Sequence, residues 1–288
     1  MAGTAMVVLA AASWGTWSLF LRPTGLSSFV TSPILFAVMG LGALPWALAQ
    51  GRVAWDRTTV ALLLANALCD ALNVVAFFGA LATTTVALAV LTHYAAPILI
   101  ALAAARVDGI RTRGAGAAAA VALAGLVVVL EPWAPRPGEG ATLGSPLLGA
   151  LLGLASAFAY AANTFVVRRL AERIGAVRAM SYHSLVAAAL LAPLAVLAPA
   201  GGGLGDITGG DLALLVAGAA TIGMVSGIAF VHGLVRIGAA RAAVLTFAEP
   251  LVAVAVGALV WEEPLHPIAA LGGALVLGAG IHVAREAR

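Results

Sequence analysis

Lysine is absent from this 288-residue chain, so all fifteen basic side chains are arginine, and charged residues of both signs amount to only 9%. Soluble domains carry about a quarter charged residues. With 62% hydrophobic residues and a mean hydropathy of +1.08, there is too little polar surface to hold a globule in water. The solvent of such a chain is lipid. The only cysteine is Cys69, which excludes an internal disulfide and a cysteine-based zinc site and leaves the redox compartment open. No HExxH, DxxD or histidine-rich cluster occurs, so the dense ligand set of a membrane-embedded metalloenzyme is missing. The glycine-rich stretch 201–210 follows an apolar run rather than a strand and lacks a Lys-Ser/Thr ending. It reads as a loop and not a phosphate cradle, so ATP-driven transport would need a separate subunit. A net charge of +3 and a pI near 9.7 would suit a nucleic-acid binder, but the arginines are spread thinly, fall at the ends of apolar runs and form no groove-binding face. No cofactor, metal or nucleic acid is expected. The opening residues are apolar and small but lack the basic n-region of a signal peptide, and they read as a first span.

What the chain has is apolar runs. Segments of the length that crosses a bilayer fall at about 3–22, 33–50, 59–81, 86–105, 114–131, 146–168, 179–198, 211–235, 240–260 and 267–284. Ten spans place Arg52, Arg57, Arg106, Arg111, Arg113, Arg168, Arg169, Arg173, Arg178, Arg236, Arg241, Arg285 and Arg288 on the side of the N-terminus, with only Arg22 and Arg136 opposite. By the positive-inside rule both termini are cytoplasmic, in what is expected to be a bacterial inner membrane. An odd number of spans would scramble this asymmetry.

The longest polar link, rich in Pro and Gly at 131–145, divides the chain. A shift of 153 residues places Tyr94 to Pro97 on Phe247 to Pro250, and a shift of 146 places Ser13-Trp14-Gly15 on Ala159-Tyr160-Ala161. These matches fall in order, as an internal repeat would. The expected fold is therefore an all-α polytopic membrane protein of ten transmembrane helices in two inverted five-helix repeats, 1–133 and 146–288, joined by a periplasmic linker at 134–145. Five spans per repeat is odd, so the second repeat enters the membrane from the opposite side, the architecture of alternating-access carriers with a midplane site. Spans three and four are expected to face spans eight and nine across a central cavity.

Ionisable groups inside apolar spans are costly unless they meet a cavity or a partner. Asn66, Cys69, Asp70 and Asn73 recur at helical spacing on one face of span three, with Asp70 at its centre. Such a stripe either lines a cavity or bonds a neighbouring helix. Glu249 is central in span nine and precedes Pro250, where a missing backbone hydrogen bond can free a carbonyl. A cavity role and a protonated acid bonded to its own kink both fit. His93 and Tyr94 stand next to Pro97 in span four and are candidates for the same cavity. Trp14, Trp17, Tyr160 and Asn163 occupy corresponding places in spans one and six, and aromatic faces with polar edges suit an amphipathic ligand or its ammonium group. Packing or an interfacial belt is the alternative, above all for Trp17. Trp46, Trp55, Trp133 and Trp261 read as belt anchors, and His183, His232 and His282 as structural or interfacial groups near cytoplasmic helix ends. Glu262 and Glu263 with His266 read as a solvated turn.

The ten spans, the Trp14-Gly15 pair, Glu249-Pro250, the turn Trp261-Glu262-Glu263-Pro264-Leu265 and the closing run Gly272 to Gly280 resemble the drug/metabolite transporter superfamily, with EamA-type exporters as the nearest subgroup. The second half carries the resemblance better. Arg106-Val107-Asp108-Gly109 after span four departs from the acidic turn after span nine. The resemblance implies secondary-active export of small metabolites, such as neutral or aromatic amino acids, with protons as a candidate coupling ion. Export of cationic drugs or choline-like quaternary ammonium compounds is the alternative, and an embedded enzyme or a channel explains less. The expected partners are a small-molecule substrate and the lipid bilayer, with the protein a monomer or weak dimer.

Overall fold

The computed structural model describes residues 1–107, 109, 114–133, 145–198, 202–264 and 266–285. Among them the chain is helical from end to end. In order the helices are α1 (Ala2–Trp14), α2 (Ser18–Leu21), α3 (Ser28–Ala49), α4 (Arg57–Thr83), α5 (Val86–His93), α6 (Ala96–Val107) and α7 (Ala115–Leu130). The second half follows with α8 (Pro146–Ile174), α9 (Ala176–Leu191), α10 (Gly209–Gly218), α11 (Ser226–Ile237), α12 (Ala239–Leu245), α13 (Ala248–Val260) and α14 (Ile268–Arg285). A π-helical stretch, Ala219–Val225, joins α10 to α11. Small polar side chains start several helices by accepting from the first turn: Ser27 before α3, Asp56 before α4, Thr85 before α5, Ser145 before α8 and Thr208 before α10.

The short pieces join into longer rods, since α5 and α6, like α12 and α13, are parts of single segments kinked at Tyr94-Ala95 and Thr246-Phe247. Pro97 and Pro250 lie just past these kinks, where a helix tolerates a missing N–H. Nine segments among the described residues are long and apolar enough to cross a membrane, and the shorter apolar α7 stands in the place of the fifth expected span. All ten expected spans are thus matched by helices. The linker expected at 134–145 lies outside the described residues except for Ser145.

Each helix contributes one face to the interior and one to lipid. On α4, Leu64, Leu68, Leu72 and Val75 are exposed, while Asn66 is fully buried and Asp70 and Asn73 face α8. Apolar side chains turned outward and polar ones inward is the pattern of a protein solvated by hydrocarbon.

The packing partners follow the repeat. The α4–α8 contact has its counterpart in α1 against α11, and α4–α9 in α3 against the π-helical stretch. Two pairs are their own counterparts: α3 with α9, and α7 with α14. At α7–α14 a Cβ on Gly125 would stand 2.6 Å from the Gly272 carbonyl oxygen, and one on Gly272 2.5 Å from that of Gly125. Only glycine allows these backbones to meet, as in small-residue packing between membrane helices. This reciprocal contact relates Gly125 to Gly272, a shift of 147 rather than the 153 that places Tyr94 to Pro97 on Phe247 to Pro250. The expected opposition of spans three and four to eight and nine holds in part. The α6–α12 contact joins spans four and nine, but α4, the third span, packs on spans six and seven.

Candidate functional site

Two linked polar networks run between the halves. In the first, Asp70 Oδ1 accepts a hydrogen bond from Asn163 Nδ2 at 2.6 Å, and Asn163 Oδ1 accepts one from Asn66 Nδ2. The carboxylate dictates the order. Its oxygen accepts, so Asn163 presents its amide nitrogen, which turns the Asn163 oxygen to Asn66 and leaves buried Asn66 Oδ1 without a partner. The other carboxylate oxygen, Oδ2, lies 2.8 Å from His183 Nε2. His183 Nδ1 is 2.6 Å from the Ala179 carbonyl, which can only accept, so Nδ1 carries a hydrogen. The bond between Nε2 and Oδ2 then holds one proton, on either atom. Losing it would set a lone pair against a carboxylate.

In the second network Ser156 Oγ donates to Asn73 Oδ1 at 2.7 Å, and its oxygen accepts from His93 Nδ1, also at 2.7 Å. His93 Nε2 is left as an acceptor. Its ring is surrounded by those of Phe77, Tyr94 and Tyr160, with centroids 4.9, 5.4 and 5.5 Å away. Tyr94 also packs on Phe247 at 5.5 Å, and its hydroxyl faces the Glu249 carboxyl group. Tyr160 lies within electrostatic range of both Glu249 and Asp70, so the two networks share one region. His93, Tyr160, Asp70 and Glu249 are each half-buried.

Of the residues singled out in the sequence, Asn66, Asp70, Asn73, His93, Tyr94, Tyr160, Asn163 and Glu249 come together. The α4 stripe is spent on contacts with α8 and α9, as the helix-bonding reading foresaw, and Cys69 stands beside it. Trp14 is turned the other way. Its Nε1 donates to the Ile222 carbonyl of the π-helical stretch at 3.2 Å and its ring tilts on Phe230 at 4.9 Å. Next to it, Gly15 abuts the Glu249 backbone, a Cβ there standing 2.4 Å from the Glu249 carbonyl oxygen. Trp17 caps α2 and its side chain makes no hydrogen bond or ring contact among those found in the described residues.

One assignment changes. His183 is no helix-end group: it is buried about two turns into α9 and is the partner of Asp70. The acidic turn is solvated as expected, with Glu262, Glu263 and His266 exposed, and it also makes contacts: Glu263 pairs with Arg22 at 2.6 Å, the Arg22 guanidinium lies over Trp261, and Trp261 Nε1 donates to Ser18 Oγ at 3.0 Å. The turn thereby ties the second half to the first. Missing from the sequence reading altogether was Ser156, the hydroxyl that joins Asn73 to His93. It lies four residues before Tyr160 on α8, a spacing that places both on one face.

Known proteins agree with this architecture. Residues 147–284 match the model of the EamA-like transporter family. A relative from Archaeoglobus fulgidus, described as an uncharacterized transporter, is 28% identical over 98% of this chain and 96% of its own. A protein of known crystal structure, 24% identical, superposes with a TM-score of 0.82 over 98% of both chains, which establishes the fold. Nine long apolar helices among the described residues, a polar centre between two packed halves and the match over residues 147–284 mark the protein as a polytopic membrane transporter whose second half is similar to the EamA-like family.

Proposed function

We propose that the protein is a secondary-active carrier that exports a small ammonium-bearing metabolite, a neutral or aromatic amino acid foremost, by alternating access between the two halves. The observation that carries this reading is the meeting of Tyr94 and Glu249, which lie at the kinks of corresponding spans in opposite halves. A carboxylate beside rings drawn from both halves suits an ammonium group, which gains from both charge and aromatic faces. Groups drawn from both halves are also what a site needs if it is to be remade when the halves move.

The Asp70–His183 pair suits the coupling ion. It holds one proton between helices of different halves, and rehydration or a substrate ammonium would release it. On this reading Glu249 and the rings of Tyr94, His93 and Tyr160 receive the substrate, Asp70 with Asn66, Asn73 and Asn163 handles the exchanged charge, and Trp14 positions span one. The arginine-rich end, with both termini, faces the cytoplasm of a bacterial inner membrane. The two carboxylates of the cluster, with no arginine among its members, favour a second reading in which the cargo is a choline-like or drug cation. Uptake of labelled amino acids and of choline-like cations into inverted and right-side-out vesicles, with and without a proton gradient, decides between them. Glu249→Gln is expected to abolish the accumulation. If no compound enters faster than into vesicles lacking the protein, or Glu249→Gln transports at the wild-type rate, the proposal fails.

A further inference from the structure

A cavity opens at the arginine-rich end, away from the central cluster. It measures about 390 Å³ and is lined by Arg52, Ala54, Thr59, Arg173 and Arg178, together with Val53 and Ile174. The ends of four helices form it: the C-termini of α3 and α8 and the N-termini of α4 and α9. Both halves of the chain therefore contribute.

Its three guanidinium groups are held differently. Arg178 folds back onto carbonyls, donating to Ala47 O, Ile174 O and Gly51 O at 3.3, 3.3 and 3.0 Å. This caps the ends of α3 and α8 and fixes the guanidinium without meeting a carboxylate. Arg173 Nε donates to Thr59 Oγ1 at 3.0 Å, and its Nη2 pairs with Asp56. Arg52 is exposed and projects from the link after α3. The neighbouring carboxylate Glu172 is paired with Arg168 at 3.1 Å. Three positive groups against one carboxylate leave a surplus of two charges around a concave space with spare N–H donors, the chemistry that recognises phosphate oxygens.

The depth of the cavity indicates where the phosphate comes from. Trp46 and Trp55 flank it in sequence and stand half to two-thirds exposed, at 59% and 50%, and Trp55 packs on Tyr182 of α9 at 5.4 Å. Tryptophans of this kind mark the headgroup level of a bilayer. Basic pockets between membrane helices at that level bind anionic headgroups.

We infer that this cavity is a binding site for the phosphodiester headgroup of an anionic lipid, which would clamp the ends of α3, α4, α8 and α9 together. The test uses the full-length protein purified in a neutral detergent, titrated with cardiolipin or with phosphatidylcholine and followed by native mass spectrometry and thermal unfolding. Cardiolipin is expected to bind at one copy and to raise the unfolding temperature, where phosphatidylcholine does neither. Arg52→Gln with Arg173→Gln should weaken cardiolipin about twenty-fivefold, from two cations each worth about fivefold at a lipid surface. Arg52→Gln alone, at a residue that supports no helix contact, should lose about fivefold and guards against misfolding of the double variant. Arg22→Gln, at the opposite end, removes the same charge and should leave cardiolipin binding, read by native mass spectrometry, unchanged. Equal binding of the two lipids, or equal weakening by Arg22→Gln, would overturn the site. Saturation by inorganic phosphate with no preference for cardiolipin would overturn the lipid assignment.

Discussion

Replacing Asn163 by leucine keeps the branching and the number of heavy atoms of the side chain and removes both of its polar atoms. Two groups then lose their partners. Asp70 Oδ1 loses the amide donor at 2.6 Å, a partly buried hydrogen bond to a carboxyl group worth about 1–3 kcal/mol. Asn66 loses the acceptor for its Nδ2, and since its Oδ1 has no partner in the wild type, a fully buried amide is left entirely unpaired at roughly 1–3 kcal/mol. The single substitution should therefore cost about 2–6 kcal/mol, well above the ~0.6 kcal/mol average of interhelical hydrogen bonds measured by double-mutant cycles in a membrane protein. The difference arises because a cycle reports the net worth of a bond and a single truncation reports the orphans it leaves. Asn66→Leu takes the donor from Asn163 Oδ1 but also removes an amide oxygen that had no partner, and because Asn163 is only half-buried it should cost less than Asn163→Leu, about 1 kcal/mol. The double variant should be more stable than Asn163→Leu alone, because the second change removes the orphan created by the first. Unfolding in mixed micelles of the wild type and the three variants measures all four corners. Asn163→Leu within about 0.5 kcal/mol of wild type, or a double variant that costs the sum of the singles, would refute the network.

Gly125→Leu or Gly272→Leu should abolish folded protein, read as loss of monodisperse material on gel filtration, because either side chain would enter backbone atoms less than 3 Å away. Trp14→Phe keeps the ring against Phe230 but removes the hydrogen bond to the Ile222 carbonyl, and a loss of about 1 kcal/mol in unfolding free energy is expected. Asp56 gives a pH test outside the membrane spans. The Thr59 N–H, then the Thr59 hydroxyl, and more weakly Arg173 hold its carboxyl below the ordinary 3.8. A depressed folded-state value means that its contribution is present above 3.8 and is lost as the pH falls through the lower value. The thermal penalty of Asp56→Asn should therefore be visible at pH 7 and vanish in strong acid, and a penalty independent of pH would contradict this.

The spans were legible because the bilayer demands long apolar runs and because charge collects at their ends. All ten expected segments have a helix at their place. The α4 stripe was legible for the same kind of reason: Asn66, Asp70 and Asn73 recur at the helical period, and the structure places all three against α8. Their destination was not legible, since periodicity gives a face and not the helix that face meets. His183 shows the limit clearly. The arginines at 169–178 suggested a span beginning at 179, but α9 begins at Ala176 and Arg178 folds back onto the carbonyls of its neighbours. The helix therefore starts a turn earlier, and His183 lies deeper than its sequence position implied. Trp14 was expected to offer its face to a ligand. Its partner is a carbonyl in a π-helical stretch, an irregularity that no apolar run announces. Glu249 and Tyr94 were each found from a proline in an apolar run, but that they face each other across the halves required the packing of α6 on α12.

Counterflow in proteoliposomes tests the carrier most directly. Vesicles loaded with an unlabelled amino acid, or with choline, are diluted into a trace of the same labelled compound. A carrier that must present its site to one side at a time returns faster when loaded, so the account predicts a transient overshoot of label that depends on the internal load and disappears in Glu249→Gln. Label that merely equilibrates at a rate independent of the internal load, in wild type and Glu249→Gln alike, would contradict it.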